Sequence, residues 1–466
     1  MGPLSADRGS LDRYRFPFQA RGGAADRRDA PVRELIRASD RRGQPRRRND
    51  ASHAPFGGDD DNPYQATRLN GVVPSQRRGA LSAARDAKMA RSAHAYVRGN
   101  TARFYEWLAA APVRLPEGPP VWICGDCHLG NLGAISDGGE GLDVHIRDLD
   151  QAVIGNPTHD LIRLGLSLAT AARGSDLPGL ATMQILDAML AGYVAGIVDP
   201  VAGQAGVEPD AVKSVRRRAA RRRWKHLARE RLEGGEPRLP LGDKFWPLTD
   251  RERGALDELF SRSDVCDMVL SLDPSNRRRR VRLVDAAYWM KGCSSLGLRR
   301  YAVLVALDRT RRRSRYALVD IKEAVASVAP TTHAAAMPAD PAERVRRAAC
   351  ALSPFLGSRM LPVTMIDGSF FIRELAPQDL KIEVEQFSRD EAVRAARYLA
   401  FVVGVAHSRQ MDASSRAMWG ERLLADTTDD NGTPTWLWRS VVALAGQHES
   451  GYLDHCRTVA LRRLAA

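Results

Sequence analysis

The hydrophobic pattern of this 466-residue chain changes its period twice, and this change constrains the fold more than any other sequence feature. Leu161, Leu164 and Leu168 fall on one face of a helix, and helical spacing returns in roughly the last 75 residues. Between about residues 281 and 375, apolar residues instead recur in short alternating runs, as Tyr301 and Val303 do. The chain is therefore predicted to be an α+β protein whose β-rich part lies between two helical parts.

These changes divide the chain into predicted parts. The first 66 residues are rich in Arg, Asp, Gly and Pro, and too poor in apolar residues to offset the entropy of ordering, so this basic tail is predicted to be disordered. The remaining predicted parts are a helical segment (67–118), a helical half with the main polar cluster (119–265), a β-rich part (266–380) and closing helices (381–466).

The positive charge is local. Lys and Arg number 70 against 56 acidic residues, which gives a net charge of +14. Three windows, 211–225, 277–282 and 309–315, hold 18 basic and no acidic residues, so the remainder is slightly acidic. Such windows are typical of solvated surface, and a nucleic-acid partner is the less favoured interpretation. Six cysteines and no apolar run long enough to span a membrane predict a cytoplasmic protein without a membrane partner.

The densest polar cluster follows a short predicted strand. It reads GDCHLGN, and IRDLD follows it after a hairpin. Asp126 lies just beyond the strand, and Asn131 lies five residues further along. Because the predicted hairpin carries the chain out through 132–135 and back through 142–146, we expect Asp148 to return near its starting point.

This convergence of oxygen ligands suits Mg²⁺, which shares its coordination with water and substrate phosphates. The Asp-x-x-x-x-Asn spacing is that of a kinase catalytic loop. Asp126 and His128 are therefore the candidate catalytic residues, and Asn131, Asp148 and Asp150 are the candidate metal ligands. Asp160, at the start of the next helix, is explained by N-capping, but in a kinase-like site it would brace the catalytic loop.

A second cluster lies within the β-rich part. KGCSSLG falls between two strand-like runs, where backbone and hydroxyl groups can approach phosphate oxygens. Lys322, on a later predicted strand, is a candidate to pair with the α- and β-phosphates of a nucleotide. Glu343 opens a predicted helix at 341–352, where it could orient Lys322 or only complete a capping box. The candidate cofactor-binding residues are Gly292, Ser294, Ser295, Gly297, Lys322 and Glu343.

The two clusters occur in the opposite order from a kinase, since the glycine loop follows the catalytic loop by about 165 residues. Reading 281–412 first and 120–265 second restores that order. A circular permutation with its cut in a surface connection accounts for both halves. The sequence therefore predicts a two-lobed, circularly permuted, kinase-like fold.

Several motifs together resemble the bacterial domain-of-unknown-function family 2252 over residues 80–460. They are KMARSAHAYVRGNTARFYEWL, GDCHLGNLG, IRDLDQAVIGNPTHDLIRLGLSLA, KGCSSLGLRRY, DIKEA and GVAHSRQ. That family is similar to the protein-kinase-like superfamily, particularly aminoglycoside and choline kinase-type enzymes. The resemblance implies ATP and Mg²⁺ at Asp126, Asn131 and Asp148, and leaves the acceptor open. No Phe-Gly follows Asp148, which argues against a protein substrate.

Alternative functions remain at this stage. The chain could bind nucleotide or nucleic acid without turnover, as a pseudokinase or a basic adaptor. Cys124 to His128 also match C-x-x-C-H, a pattern of c-type haem attachment and of redox sites. That interpretation is less favoured, because it leaves Asn131, Asp148 and Asp150 without a role.

Overall fold

The computed structural model describes most of the chain after residue 70. The described residues are 71–136, 142–174, 179–201, 208–221, 238–271, 279–292, 297–308, 314–332, 336–375, 380–381, 388–425 and 436–464. The predicted tail and two predicted site residues, Ser294 and Ser295, lie outside them. Within these residues the chain is a mixture of helices and strands, which confirms the α+β class.

Three helices open the described chain. They are α1 (Arg77–Met89), α2 (Ala93–Gly99) and α3 (Thr101–Ala110). The Ser92 side chain caps α2 by accepting a hydrogen bond from the Ala95 N–H. The predicted helical stretch is thus divided into three, and α2 lies beside the polar cluster described below.

Two small sheets surround the GDCHLGN segment. Strand β1 (Val121–Ile123) pairs antiparallel with β4 (Val153–Gly155). The predicted hairpin is confirmed as β2 (Leu132–Ser136) and β3 (Leu142–Ile146), with Leu132 opposite Ile146. Strand β11 (Leu380–Lys381) adds to the free edge of β2.

Long helices pack behind these strands. The first group is α4 (Thr158–Gly174), α5 (Gly179–Val198) and α6 (Asp210–Arg221). The last group is α11 (Arg389–Ser408), α12 (Ala413–Ala425) and α13 (Trp436–Leu464). Their apolar faces form one core with β1 to β4, and the last three lie within the predicted closing helices at 381–466.

The β-rich part is a six-stranded antiparallel sheet. Its order is β5-β6-β7-β8-β10-β9. The strands are β5 (Phe245–Trp246), β6 (Arg280–Trp289), β7 (Arg300–Asp308), β8 (Ser314–Ala324), β9 (Met360–Met365) and β10 (Gly368–Glu374). Helices α7 (Asp250–Ser261) and α8 (Ser263–Ser271) share a core with one face of this sheet. Strand β5 thus lies before residue 266, where the β-rich part was predicted to begin. The sequence did not indicate this strand, because two residues are too few to show a strand pattern.

The connection after β8 returns as helices α9 (Pro341–Leu352) and α10 (Pro354–Gly357). Asp340 caps α9 and Pro341 occupies its first position, as the sequence predicts. The β9–β10 turn consists of Ile366 (φ 48°) and Asp367 (φ 57°), whereas the Asp367-Gly368 pair in the sequence predicts a turn one residue later. A two-residue hairpin turn with both residues left-handed fits the twist of the strands.

Helix α5 bears on the prediction that the chain has no membrane-spanning segment. Among the described residues, only α5 is long and apolar enough to cross a membrane, and half of its apolar window is buried in the protein. Core helices of soluble proteins share these properties. Helix α6 contains the first part of the basic window 211–225, and its Arg216 pairs with Glu208. The rest of this window lies outside the described residues.

Candidate active site

The loop after β1 is held by a buried carboxylate. Asp160, in the first turn of α4, accepts hydrogen bonds from the N–H groups of Cys124 (2.7 Å) and Gly125 (2.9 Å). Gly125 has φ 72°, and a Cβ there would lie 2.0 Å from the Gln151 carbonyl oxygen. The loop therefore needs glycine at 125 and a carboxylate at 160, and the bracing contact proposed for Asp160 is confirmed.

A chain of buried side chains orients Asp160 in turn. His407, at the end of α11, has Nε2 3.2 Å from Asp160 Oδ2. Because a carboxylate only accepts, this nitrogen carries the proton, and Nδ1 accepts from the Tyr193 hydroxyl at 2.9 Å. The HSRQ motif thus supports the loop from behind through His407.

Asp126 is buried beside a buried arginine. Arg163 Nε donates to Asp126 Oδ1 at 2.9 Å, and its Nη2 donates to the Val97 carbonyl at 2.7 Å. Burial raises the pKa of Asp126 to about 6, even though Arg163 opposes this change. The group is therefore ionised at pH 7 but is more basic than an ordinary carboxylate.

The other loop residues lie around Asp126. Asn131 Nδ2 donates to the Asp126 carbonyl at 2.9 Å, in a short 3-10 turn formed by Leu129–Asn131. His128 is buried, with Nε2 3.9 Å from Asp126 Oδ2. All three polar residues of the motif are thus held within one tight turn.

The hairpin returns the chain as expected. The Arg147 N–H donates to the Asn131 carbonyl at 2.8 Å, which closes the hairpin base directly beside the loop. Cys124 Sγ donates to the Asp148 carbonyl at 3.4 Å, so the residues after β3 lie against the end of β1. This closure brings Asp148 next to the segment that holds Asp126 and Asn131.

Lys322 joins the six-stranded sheet to this segment. Its Nζ lies 3.3 Å from Asp148 Oδ1 and also contacts Asp150 Oδ2. The Lys322 side chain is only 3% exposed, whereas that of Asp148 is 44% exposed. Two stretches separated by about 170 residues therefore meet at one point, as the predicted site required.

The two carboxylates differ in their electrostatics. Burial works to raise the pKa of Asp148, but the charges of Lys322, Arg373 and Arg300 outweigh it and hold that pKa below its usual range. Burial, followed by the charge of Asp148, raises the pKa of Asp150. The two carboxylates share one positive charge, that of the Lys322 ammonium group.

Glu343 does not take the predicted position. Its carboxylate pairs with Arg346 (2.7 Å) and Arg347 (2.8 Å) on the outside of α9. The next residue, Arg344, faces the site instead, and its Nη2 donates to the Asp150 carbonyl at 2.7 Å. Since α9 turns by about 100° per residue, adjacent side chains diverge, and the sequence did not show which of them points inward.

Gly292 and Gly297, the described residues at the two ends of the glycine loop, have a backbone conformation that favours glycine. Gly292 and Gly297 have φ values of 100° and 112°, which L side chains rarely adopt. Lys88 of α1 donates to the Gly292 carbonyl at 2.8 Å. The loop is therefore tied to the N-terminal helices, and Ser294 and Ser295 remain predictions.

The cysteine pair shows the features of packed thiols. Cys124 and Cys127 are free and fully buried. Hydrogen bonding to Cys127, together with burial, raises the pKa of the Cys124 thiol well above its usual value. Burial also raises the pKa of Cys127. Both effects disfavour the thiolate that redox chemistry uses.

The donor set also limits the kind of metal. Among the described residues, no group of three or more His, Cys, Asp and Glu side chains is arranged to hold a metal ion. A zinc-type site is therefore not formed by them. One amide and two carboxylates fit Mg²⁺ better, because Mg²⁺ keeps waters and takes the rest of its ligands from substrate phosphates.

The motifs agree with the comparison against protein families. The family model "Uncharacterized protein conserved in bacteria (DUF2252)" matches residues 77–458, and the chain belongs to this family. No match was found among curated proteins or among solved structures.

Proposed function

We propose that this protein is a kinase-like phosphotransferase that uses ATP and Mg²⁺ to modify a small-molecule acceptor. The observation that carries the proposal is the contact of Lys322, from the centre of the sheet, with Asp148 and Asp150 beyond the catalytic-type loop. In kinases a strand lysine and a metal-binding aspartate meet across the nucleotide site in this way. A structural ion pair alone would not require the Asp126–Asn131 turn beside it.

The proposal includes a circularly permuted, two-lobed kinase-like fold. Taken from β6 to α11 and then from β1 to α8, the elements run glycine loop, strand lysine, helix, paired strands, long helix, catalytic loop, hairpin and metal-site aspartate. This is the order of parts in a kinase. The packing of α11 behind the loop, through His407 and Asp160, supports the join between the two segments.

The residues would divide the chemistry among them. Bound Mg²⁺–ATP supplies the phosphoryl group and much of the charge neutralisation, with Asn131, Asp148 and Asp150 as metal ligands and Lys322 moving to the phosphates. Asp126 accepts the proton of the acceptor hydroxyl as the new P–O bond forms and the bond to the ADP oxygen breaks. A carboxylate with a pKa near 6 suits this task at neutral pH.

The test compares binding with turnover. Wild type should bind a non-hydrolysable ATP analogue in a Mg²⁺-dependent manner and release ADP from ATP when an acceptor library is supplied. Asp126→Asn should keep analogue binding while losing about 10²–10⁴-fold in turnover. Lys322→Met should lose both, and Lys244→Met, which alters an exposed lysine at the sheet edge, should lose neither.

Other outcomes have definite meanings. Release of pyrophosphate in place of ADP would indicate nucleotidyl transfer, because the AMP group then stays on the acceptor. Analogue binding without any turnover would favour the catalytically inactive nucleotide binder. Retained turnover in Asp126→Asn would reject Asp126 as the base, and absence of Mg²⁺-dependent binding would reject the proposal.

A further inference from the structure

Arg98 lies against the catalytic-type loop. It is half-buried at the C-terminal end of α2. A Cβ on Gly130 would lie 2.8 Å from Arg98 Cζ, 2.8 Å from Nη2 and 3.1 Å from Nε. These similar distances place the flat face of the guanidinium on Gly130, next to Asn131. Position 130 thus accommodates an arginine at the loop rather than a side chain of its own.

This guanidinium has no counter-ion among the described residues. Its Nε is buried there without a hydrogen-bond partner, and no carboxylate of those residues pairs with the group. Arg103, on the next helix, instead pairs with Glu106 at 2.7 Å, and Arg163 pairs with Asp126. A charge that lies partly out of water without a partner is costly, unless a ligand supplies one.

A second arginine, on α1, also has a buried Nε without a hydrogen-bond partner in the described part of the chain. Arg85 of α1 donates from Nη2 to the Gly99 carbonyl, at 3.1 Å, directly beside Arg98. Its Nε is also buried without a partner among the described residues. Arg85 and Arg98 thus each keep one buried N–H donor without a partner among the described residues, and Arg85 contacts the backbone of the residue after Arg98.

The arginines lie on the Asp126 side of the site. Arg163, which binds the Asp126 carboxylate, also binds the carbonyl of Val97, the residue before Arg98. Burial, and then the charges of Arg98 and Arg163, lower the pKa of His94 to about 4, so both guanidinium groups act on one region. Lys322 and the two aspartates that it contacts come from other elements, β8 and the segment after β3.

We infer that Arg98, assisted by Arg85, binds an oxyanion on the acceptor, so that the acceptor is a small molecule that already carries a phosphate or a carboxylate. The inference rests on the proposed function, because it places an acceptor beside Asp126. The planar fork of arginine matches the paired oxygens of either group. Arg98 then determines which acceptors bind and does not take part in bond breaking.

The experiment uses inorganic phosphate as the probe and the full chain. Binding is measured by calorimetry in wild type, Arg98→Met and the control Arg103→Met, with a saturating Mg²⁺–ATP analogue present. Phosphate should bind wild type and Arg103→Met equally, and Arg98→Met at least about tenfold more weakly. Analogue affinity should stay within about twofold in all three proteins, and acetate in a parallel series distinguishes a carboxylate site from a phosphate site.

Arg98→Lys guards against a folding defect, because it keeps the charge but loses the fork; we expect intermediate phosphate affinity. Equal phosphate binding by wild type and Arg98→Met overturns the inference, as does displacement of phosphate by the analogue, which would assign these arginines to the nucleotide. Arg98-dependent phosphate binding in a protein that binds no nucleotide rejects the proposed function and the acceptor assignment, but supports the anion site itself.

Discussion

At the scale of single residues, Asp160 is a buried carboxylate with three hydrogen-bond donors. It is fully buried, and its two oxygens serve the N–H groups of Cys124 and Gly125 together with His407. Because Asp160 is fully buried, water cannot take the place of any of these donors. The position of the catalytic-type loop therefore depends on one carboxylate outside it.

Asp160→Asn tests this dependence. In either orientation the amide NH₂ faces at least one N–H donor, so we expect a loss of about 2–3 kcal/mol in the free energy of unfolding. Urea denaturation monitored by circular dichroism measures it. Asp412→Asn is the matched control, since Asp412 is exposed and caps α12 through Ser415, where asparagine caps equally well. Equal stability of the two variants would contradict the bracing role.

His448 gives a pH-dependent prediction. It is 1% exposed, its ring contacts Trp107 at 4.6 Å between centroids, and neither ring nitrogen has a hydrogen-bond partner among the described residues. Burial, and then the charge of Arg163, lowers its pKa to about 3. Between pH 6.5 and pH 3 the unfolded chain takes up a proton that the folded chain refuses, so stability falls as the pH falls.

His448→Phe should remove this contribution. Between pH 7 and pH 5, wild type should lose about 2 kcal/mol more stability than the variant, as measured by urea unfolding at both pH values. Gln447→Phe, an exposed change on the same helix, should follow wild type. If His448→Phe loses as much stability as wild type over this range, the folded histidine is protonated and the prediction is wrong.

At the scale of elements, the crossing of α5 and α11 depends on glycine. A Cβ on Gly196 would lie 2.4 Å from the Phe401 carbonyl oxygen, and one on Gly404 would lie 2.5 Å from the Tyr193 carbonyl oxygen. The helices approach closely enough for backbone to touch backbone. This contact sets the position of His407, three residues after Gly404, behind the candidate active site.

Gly196→Ala should therefore destabilise the protein although alanine favours helix. The overpacking cost, about 3 kcal/mol, exceeds the gain in helix propensity of about 1 kcal/mol, for a net loss near 2 kcal/mol. Thermal or urea unfolding measures the change. Gly446→Ala in α13, where a Cβ would meet no atom within 4 Å, should instead gain about 0.5–1 kcal/mol. A stabilising Gly196→Ala would show that the helices can separate freely.

Local signals explain which elements the sequence predicted. The hairpin β2–β3 and helix α9 are confirmed because alternation and the Asp340-Pro341 start are encoded within a few residues. The role of Arg163 and the inward turn of Arg344 were missed, since both depend on partners far away in the chain. Asp126 and Lys322 could be found because their neighbouring residues carry motifs.

At the scale of the whole molecule, helix α13 packs beside helix α1. Arg462 of α13 pairs with Asp86 of α1 at 3.0 Å, and His455 lies 3.0 Å from the Asp86 carbonyl. Asp86 lies near the C-terminal end of α1, about 14 Å along the helix from Arg77, so a linker of about twelve residues can join the end of α13 to Gly71.

A permuted chain should therefore fold. We expect a protein that runs from Arg280 to Leu464, continues through a Gly/Ser linker of about twelve residues to Gly71 and ends at Ser271 to keep its stability within about 2 kcal/mol of the unpermuted chain 71–466. Chemical denaturation compares the two proteins. Failure of the permuted chain to unfold cooperatively would show that the order of segments is itself needed for folding.

The position of Lys322 has one more consequence. Asp148 and Asp150 already pair with one ammonium group of the chain itself, so a divalent ion arriving alone must compete with Lys322 for them. A nucleotide changes this competition, because its phosphates draw the lysine away and release the carboxylates. If the proposed function holds, metal and nucleotide bind together, and the protein without nucleotide has a low affinity for free divalent ions.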